Sequence, residues 1–177
     1  KDGGAIGFLQ SFPDTLKVEN LAIKVFDTRN EKISTIFEGK GTVKKLTSDK
    51  AGSRISFLFS PDTAKVKVYE LYLSSGNSMA AKIVTFPDKA LPENWSPSEN
   101  GNLLFSDDAS KLYFGSARKP EKEPVDTLLE EEKFKLDIWS WNDDLLQPMQ
   151  KKQLEQEKKR TWQAVYHIAS GRTVQLA

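Results

Sequence analysis

The sequence predicts an all-β protein built from repeated antiparallel sheets. The pattern Ile-x-Phe-Leu, followed by Pro-Asp-Thr, occurs in residues 6–15 and again in residues 55–63, roughly 50 residues later. A weaker third copy aligns residues 110–114 with residues 53–57. Apolar side chains also alternate through residues 65–73, which suits a half-buried strand and not a helix. A repeat of this period predicts stacked units that bury one another's apolar faces.

The repeating unit is predicted to contain four strands. Polar turns such as residues 74–77 separate apolar runs and indicate hairpins. Four short strands in roughly 45 residues are the size of one β-propeller blade. The predicted fold is therefore a partial β-propeller of about three four-stranded antiparallel blades, with a short helical insertion. The strands of the central blade are predicted at residues 42–47, 54–60, 65–74 and 79–86.

The whole chain, residues 1–177, is predicted to be a single propeller segment. Residues 1–41 supply a partial blade that lacks its first strand, residues 42–99 supply a blade, and residues 100–177 supply another. Within the outer blades, strands are predicted at residues 21–26, 33–37, 103–105, 112–115, 136–141, 161–168 and 173–176.

The last blade is predicted to carry two insertions. Residues 118–133 are charged, contain two prolines and lack an apolar pattern, so we expect an exposed, protease-sensitive excursion. Residues 149–160 place acidic and basic side chains at i,i+4 spacing with Leu154 as the only large aliphatic residue. This spacing predicts a short, solvated helix.

Composition excludes several functional classes. The 177 residues include 26 Lys and Arg against 25 Asp and Glu, so the net charge of +1 provides no field for general nucleic-acid binding. There is no Cys, which rules out disulfides, a thiol nucleophile and thiolate metal sites. No apolar run approaches the roughly 20 residues that a membrane span needs. We expect no nucleic-acid partner and no membrane span.

A family resemblance follows from particular motifs. Residues 105–115, Phe-Ser-Asp-Asp-Ala-Ser-Lys-Leu-Tyr-Phe-Gly, resemble the Ser-Pro-Asp-Gly-x-x-Leu-x-Phe signature of blades in TolB-like proteins and prolyl oligopeptidase family serine peptidases. Ala109 stands where that signature has Gly, which leaves the turn type open. The propeller of large secreted prolyl oligopeptidase-like proteins of the Bacteroidetes type is similar to residues 126–129, 136–141, 146–148 and 158–162.

The resemblance implies a non-catalytic propeller that gates peptide access to a C-terminal α/β-hydrolase domain, in a parent serine peptidase that is periplasmic or secreted. Peptide would then be its ligand class. Because the chain begins with Lys1 and not Met, we expect a processed or excised piece. The alternative is a TolB-like propeller that serves as a protein-binding scaffold.

The residues themselves predict no catalysis by this chain. A hydrolase needs Gly-x-Ser-x-Gly on a strand-to-helix turn, with Asp and His downstream. Residues 76–80, Gly-Asn-Ser-Met-Ala, lack the final Gly and lie in a predicted hairpin. The single His, His167, lies in a predicted strand and is expected to be a packing or surface residue.

No metal or cofactor site is predicted. Several Asp residues could supply oxygen ligands for Ca²⁺, but Asp at a turn more often binds its own backbone. The Gly-Lys-Gly-Thr sequence at residues 39–42 ends like a phosphate loop but lacks the upstream Gly. The Asp residues considered are Asp49, Asp62, Asp107, Asp108, Asp143 and Asp144.

Two surfaces remain as candidates for binding. Trp139, Trp141 and Asp137 share one face of a predicted strand and form a candidate ligand surface for a stacked peptide or sugar. The alternative for these tryptophans, and for Trp162, is packing between blades. An open arc of blades should also expose apolar faces and self-associate. The residues predicted on those faces are Leu21, Val25, Val165 and Ile168.

Overall fold

The structure is mostly β, with antiparallel sheets and one described helix. This confirms the predicted all-β class. The computed structural model describes residues 4–12, 20–64, 66–121 and 140–176. The chain divides into two compact units, residues 1–120 together with 161–177, and residues 121–160.

Three antiparallel sheets make up the described part of the first unit. The first sheet has the order β1 (Ala5–Phe12), β2 (Asn20–Asp27) and β3 (Lys32–Lys40). The second has the order β4 (Thr42–Ser48), β5 (Arg54–Ser60), β6 (Glu70–Ser75) and β7 (Ala81–Val84). The third contains β8 (Trp95–Pro97), β9 (Leu103–Phe105), β10 (Lys111–Arg118), β11 (Trp162–His167) and β12 (Arg172–Gln175). In the third sheet β8 and β9 pair with the same edge of β10, and β11 and β12 follow on the other side.

The second sheet has the predicted four strands in the predicted order, but β6 is shorter than expected. The prediction of a strand over residues 65–74 is wrong at its beginning, because β6 starts at Glu70. The segment before it is held as a loop by two side-chain bonds. The amide of Val68 donates to Asp62 Oδ2 at 2.9 Å, and Lys67 Nζ donates to Thr42 Oγ1 at 2.6 Å.

The second unit contains helix α1, which spans Gln147–Glu157 and confirms the predicted short solvated helix. Pro148 lies in its first turn, where the missing N–H has no intrahelical partner to lose. No side chain of α1 is buried. Over the described residues, no helix is both long and apolar enough to cross a membrane.

Two predictions concern segments beside this unit. The predicted excursion at residues 118–133 begins later than expected, since β10 continues to Arg118; residues 122–133 lie outside the described residues. Of the predicted strand at residues 136–141, residues 136–139 also lie outside the described residues. Trp141 is described, and it occupies a turn instead of a strand.

Two apolar cores join the three sheets, and the second sheet contributes to both. Alternate residues of β5 point to opposite sides, so Phe57 faces the first sheet while Leu58 faces the third. The first core contains Leu21, Ile23, Val25, Ile36, Phe37, Ile55, Phe57, Phe59 and Tyr72. The second core contains Leu58, Tyr69, Leu71, Leu73, Val84, Leu91, Leu103, Leu112, Phe114, Ala164 and Tyr166.

The residues predicted on exposed terminal faces are not exposed. Leu21 and Val25 lie in the first core, because this face of β2 packs against the second sheet. Val165 is also buried. Ile168 is partly buried against the second core. The prediction for these four residues is wrong.

Two hairpin turns have the same hydrogen bonds, which confirms the weak third copy of the repeat. The amide of Asp49 donates to the carbonyl of Arg54 at 3.1 Å, and the amide of Ser106 donates to the carbonyl of Lys111 at 2.9 Å. The first side chain of each turn accepts the amide of the last residue, at 3.2 Å for Asp49 and 2.9 Å for Ser106. The β4–β5 and β9–β10 turns are therefore equivalent.

The fourth residue of each turn has a left-handed backbone. It is Gly52 in the first turn, with φ of 71°, and Ala109 in the second, with φ of 53°. Glycine adopts this conformation without steric cost, whereas alanine brings its Cβ close to a carbonyl oxygen. The turn signature therefore keeps its geometry at Ala109 despite the loss of glycine.

We expect Ala109→Gly to raise the free energy of unfolding by about 0.5–1 kcal/mol, since it removes this steric cost. The reciprocal change Gly52→Ala should lower it by about 1 kcal/mol, because a Cβ there meets Ala5 only at an ordinary 3.6 Å and the cost is conformational. Urea titration measures both. A destabilising Ala109→Gly would contradict the equivalence of the two turns.

Candidate functional site

The structure describes only one residue of the candidate ligand surface, Trp141. Trp141 has 93% of its surface exposed and lies in a turn. Asp137 and Trp139 lie outside the described residues. The candidate ligand surface of these three side chains therefore stays a prediction.

Trp162 packs within the third sheet. Its ring lies edge-on to the ring of Trp95, with centroids 4.8 Å apart. This pair could not be predicted, because β8 has three residues and ends at Pro97, which is too short for an alternating pattern. Since β8 and β11 flank opposite edges of β10, the pair bridges the third sheet.

A shallow cavity of about 250 Å³ lies beside Trp162 in the third sheet. Its lining combines aromatic rings, which can stack on a ligand, with side-chain amides, which can donate and accept hydrogen bonds. Such a set suits a peptide segment or a sugar. The lining residues are Asn102, Leu104, Tyr113, Phe114, Gly115, Thr161, Trp162 and Gln163.

A buried tyrosine links the second and third sheets. Tyr69, just before β6, donates its hydroxyl to Glu99 Oε2 at 3.1 Å, and Lys44 Nζ lies 3.8 Å from the same oxygen. Burial, then the neighbouring Glu99 carboxylate, raises the pKa of the Tyr69 phenol far above its ordinary value. Tyr69 therefore stays a neutral hydrogen-bond donor and is no acid or base at neutral pH.

The β9–β10 turn is tied to the β4–β5 turn by polar contacts. Lys50 Nζ lies 2.6 Å from Asp107 Oδ1, and Arg54 donates from its guanidinium to the carbonyl of Ala109. Within the turn, the hydroxyls of Ser106 and Ser110 donate to Asp108. These hydrogen bonds lower the pKa of Asp108 well below its usual value.

Three of the Asp residues considered as calcium ligands accept hydrogen bonds from backbone amides a few residues further along the chain. Asp49 accepts the amide of Ser53 at 2.8 Å and its hydroxyl at 2.7 Å. Asp62 accepts the amide of Val68, and Asp108 accepts the amide of Ser110. For Asp49 and Asp108 the predicted hydrogen bonds of Asp to the backbone of its own turn are confirmed. No group of three or more metal-ligating side chains occurs in the described part of the chain.

The elbow-like sequence is part of a hairpin. The residues around Ser78 connect β6 to β7, and the amide of Ser78 donates to the carbonyl of Ser75 at 3.3 Å. The carbonyl of Ser78 accepts the hydroxyl of Ser74 at 2.6 Å. His167 lies in the third sheet opposite Lys111. A nucleophile elbow needs a strand followed by a helix, which this hairpin does not provide.

Comparison with known proteins assigns no family to the chain. No protein-family model matches it, and no curated protein matches its sequence. The repeat, the matched turns and the cavity are therefore the observations that bear on function.

The free energy of unfolding should fall as the pH rises above about 10. The unfolded chain ionises its tyrosines there, while the folded chain keeps Tyr69 neutral, so the contribution is fully present only below that pH. Tyr69→Phe should make this decline shallower in urea titrations at about pH 9 and about pH 11. Glu99→Gln removes the neighbouring charge and should have a smaller effect. Equal slopes in the wild type and Tyr69→Phe would contradict the assignment.

Proposed function

We propose that this chain is the non-catalytic propeller portion of a prolyl oligopeptidase-like serine peptidase. Its three sheets are three blades, and the ring they belong to restricts access to a hydrolase domain supplied by sequence outside this chain. The ligands that pass it are short or unstructured peptides. The parent protein acts in the periplasm or outside the cell.

The equivalence of the β4–β5 and β9–β10 turns carries this proposal. Residues 105–115, which carry the signature, are equivalent in the third sheet to residues 48–58 in the second. In addition β4, the first strand of the second sheet, lies against β9, the split first strand of the third. First strands of neighbouring blades lie side by side around the channel of a propeller.

A TolB-like scaffold is the second candidate. The observation that favours it is the cavity beside Trp162, whose rings and amides suit a bound polypeptide without any hydrolase. Both candidates share the stacked sheets. They differ in whether the parent gene encodes catalytic residues.

Reading the parent gene beyond the codon for Ala177 separates the two. The peptidase proposal expects a Gly-x-Ser-x-Gly elbow followed by Asp and His. In the protein carrying both parts, a flexible peptide should be cleaved and the same sequence inside a folded protein should not. Equal cleavage of the two substrates would contradict gating, and a gene without the elbow would favour the scaffold.

The chain of 177 residues is expected to hydrolyse no peptide or ester substrate above background. Acyl transfer needs a nucleophile activated by a neighbouring base, and Ser78 is held in a hairpin turn while the single His lies in another sheet. A fluorogenic peptide assay checks this. Turnover that disappears in Ser78→Ala, with Ser75→Ala as the matched control, would overturn the expectation.

A further inference from the structure

Two ammonium groups lie on the same face of β4. Lys44 lies opposite Leu58, whose side chain packs in the second core, and Thr42 lies two residues earlier on the strand. Opposite residues of an antiparallel pair, and alternate residues of one strand, point to the same face. Lys67 Nζ donates to Thr42 Oγ1 at 2.6 Å. The ammonium groups of Lys44 and Lys67 are therefore both on the side of β4 that faces the third sheet.

Neither ammonium group has a carboxylate to itself. Lys67 donates to a neutral hydroxyl, and no carboxylate of the described residues forms an ion pair with it. Lys44 Nζ lies 3.8 Å from Glu99 Oε2, which is long for an ion pair, and the same oxygen accepts the hydroxyl of Tyr69. The side chain of Lys44 is 49% exposed. Because an ammonium group has three N–H donors, both lysines keep donors for a further acceptor.

A β-bulge adds a third lysine beside them. The pairing of β4 with β5 shifts between Lys44 and Thr47, and Lys45 has a left-handed backbone with φ of 56°. Lys45 is exposed. Glycine adopts this conformation without steric cost, and bulges often redirect a side chain next to a functional site. The strand thus keeps a strained lysine where glycine would be more stable.

We propose that Lys44, Lys45 and Lys67 bind the C-terminal carboxylate of a peptide. One carboxylate oxygen accepts a hydrogen bond from Lys67 and the other accepts one from Lys44, while Lys45 adds its charge. This inference rests on the proposed function, in which the first strands of the blades line the channel that a peptide enters. It adds to that function a group of side chains that recognises one end of the peptide.

The charges around β4 favour a ligand with a single negative charge. The carboxylates beside these lysines are Glu99, which accepts Tyr69, and Asp62, which lies in the same loop as Lys67 and accepts the amide of Val68. Three ammonium groups and two carboxylates leave one positive charge, which one peptide carboxylate balances. A phosphate group carries up to two negative charges and would be repelled by the two carboxylates, so a peptide end is favoured over a nucleotide.

Chemical-shift titration of the isotope-labelled chain tests the proposal with the acetylated tetrapeptide Ala-Ala-Pro-Ala in two forms. The form with a free C-terminal carboxylate should shift the amide signals of residues 42–45 and 66–69 to saturation. The form with a C-terminal amide should bind about tenfold more weakly, because it lacks the charge-assisted hydrogen bonds. Equal affinity of the two forms, or no saturable shift with the free acid, overturns the proposal.

Substitution of either lysine should weaken binding of the free acid about tenfold. Lys67→Met and Lys44→Met each remove one charge and keep a side chain of similar length. Lys89→Met, at an exposed position between β7 and β8, is the matched control and should bind as the wild type does. Equal loss in all three variants would show only a general effect of charge. That result, or unchanged binding in the first two variants, overturns the proposal.

Lys45→Gly gives a readout that loss of folding cannot produce. It should move the midpoint of urea unfolding to a higher concentration, because glycine removes the cost of the left-handed backbone, and yet bind the free acid more weakly. A more stable variant with unchanged affinity overturns the assignment of Lys45. All these measurements use the chain of 177 residues alone. They can therefore fail when the parent gene encodes a hydrolase and succeed when it does not, which separates this inference from the proposed function.

Discussion

Burial of the second sheet on both of its faces is the constraint on which the rest of the first unit depends. Phe57 and Leu58 are adjacent in β5, point in opposite directions, and are both almost fully buried. A strand buried on both sides cannot place charge on either face, and β5 has none between Arg54 and its end at Ser60. The first and third sheets contact the second through these opposite faces.

The two faces solve this packing in different ways. Toward the first sheet, the rings of Phe37, Phe57, Phe59 and Tyr72 form an aromatic cluster, mostly edge-on, with centroids 4.8 to 5.9 Å apart. On the other face of β5, Ser56 is buried and its hydroxyl donates to the carbonyl of Tyr72 at 2.8 Å. In the third sheet, the backbones at Gly101 and Gly115 lie too close together for a side chain. A Cβ on Gly101 would be 2.4 Å from the Cα of Gly115.

Much of this arrangement could be predicted from the sequence, because the repeat and the alternation record which residues face a neighbouring sheet. Strands β2, β4, β5 and β10 follow from that pattern. β8 could not be predicted, because three residues ending at Pro97 carry no periodic signal. The start of β6 was misplaced because alternation over residues 65–69 says nothing of the bond from Val68 to Asp62.

For the candidate site, the sequence pointed to tryptophans in one strand, whereas the cavity depends on Trp162 and on partners from separate segments. Which face of a sheet is covered depends on its neighbours. Leu21 and Val25 were therefore predicted on an exposed face, although this face packs against the second sheet.

Amide hydrogen exchange in the wild type and in Phe57→Ala tests the central claim most directly, because Phe57 contacts the first sheet and not the third. If the second sheet holds the three sheets as one cooperative structure, the truncation should speed exchange in β2 and, by a similar factor, in β10 and β11. Faster exchange confined to the first sheet and β5, with β10 and β11 unchanged, would show that the sheets are stable independently and would contradict the account.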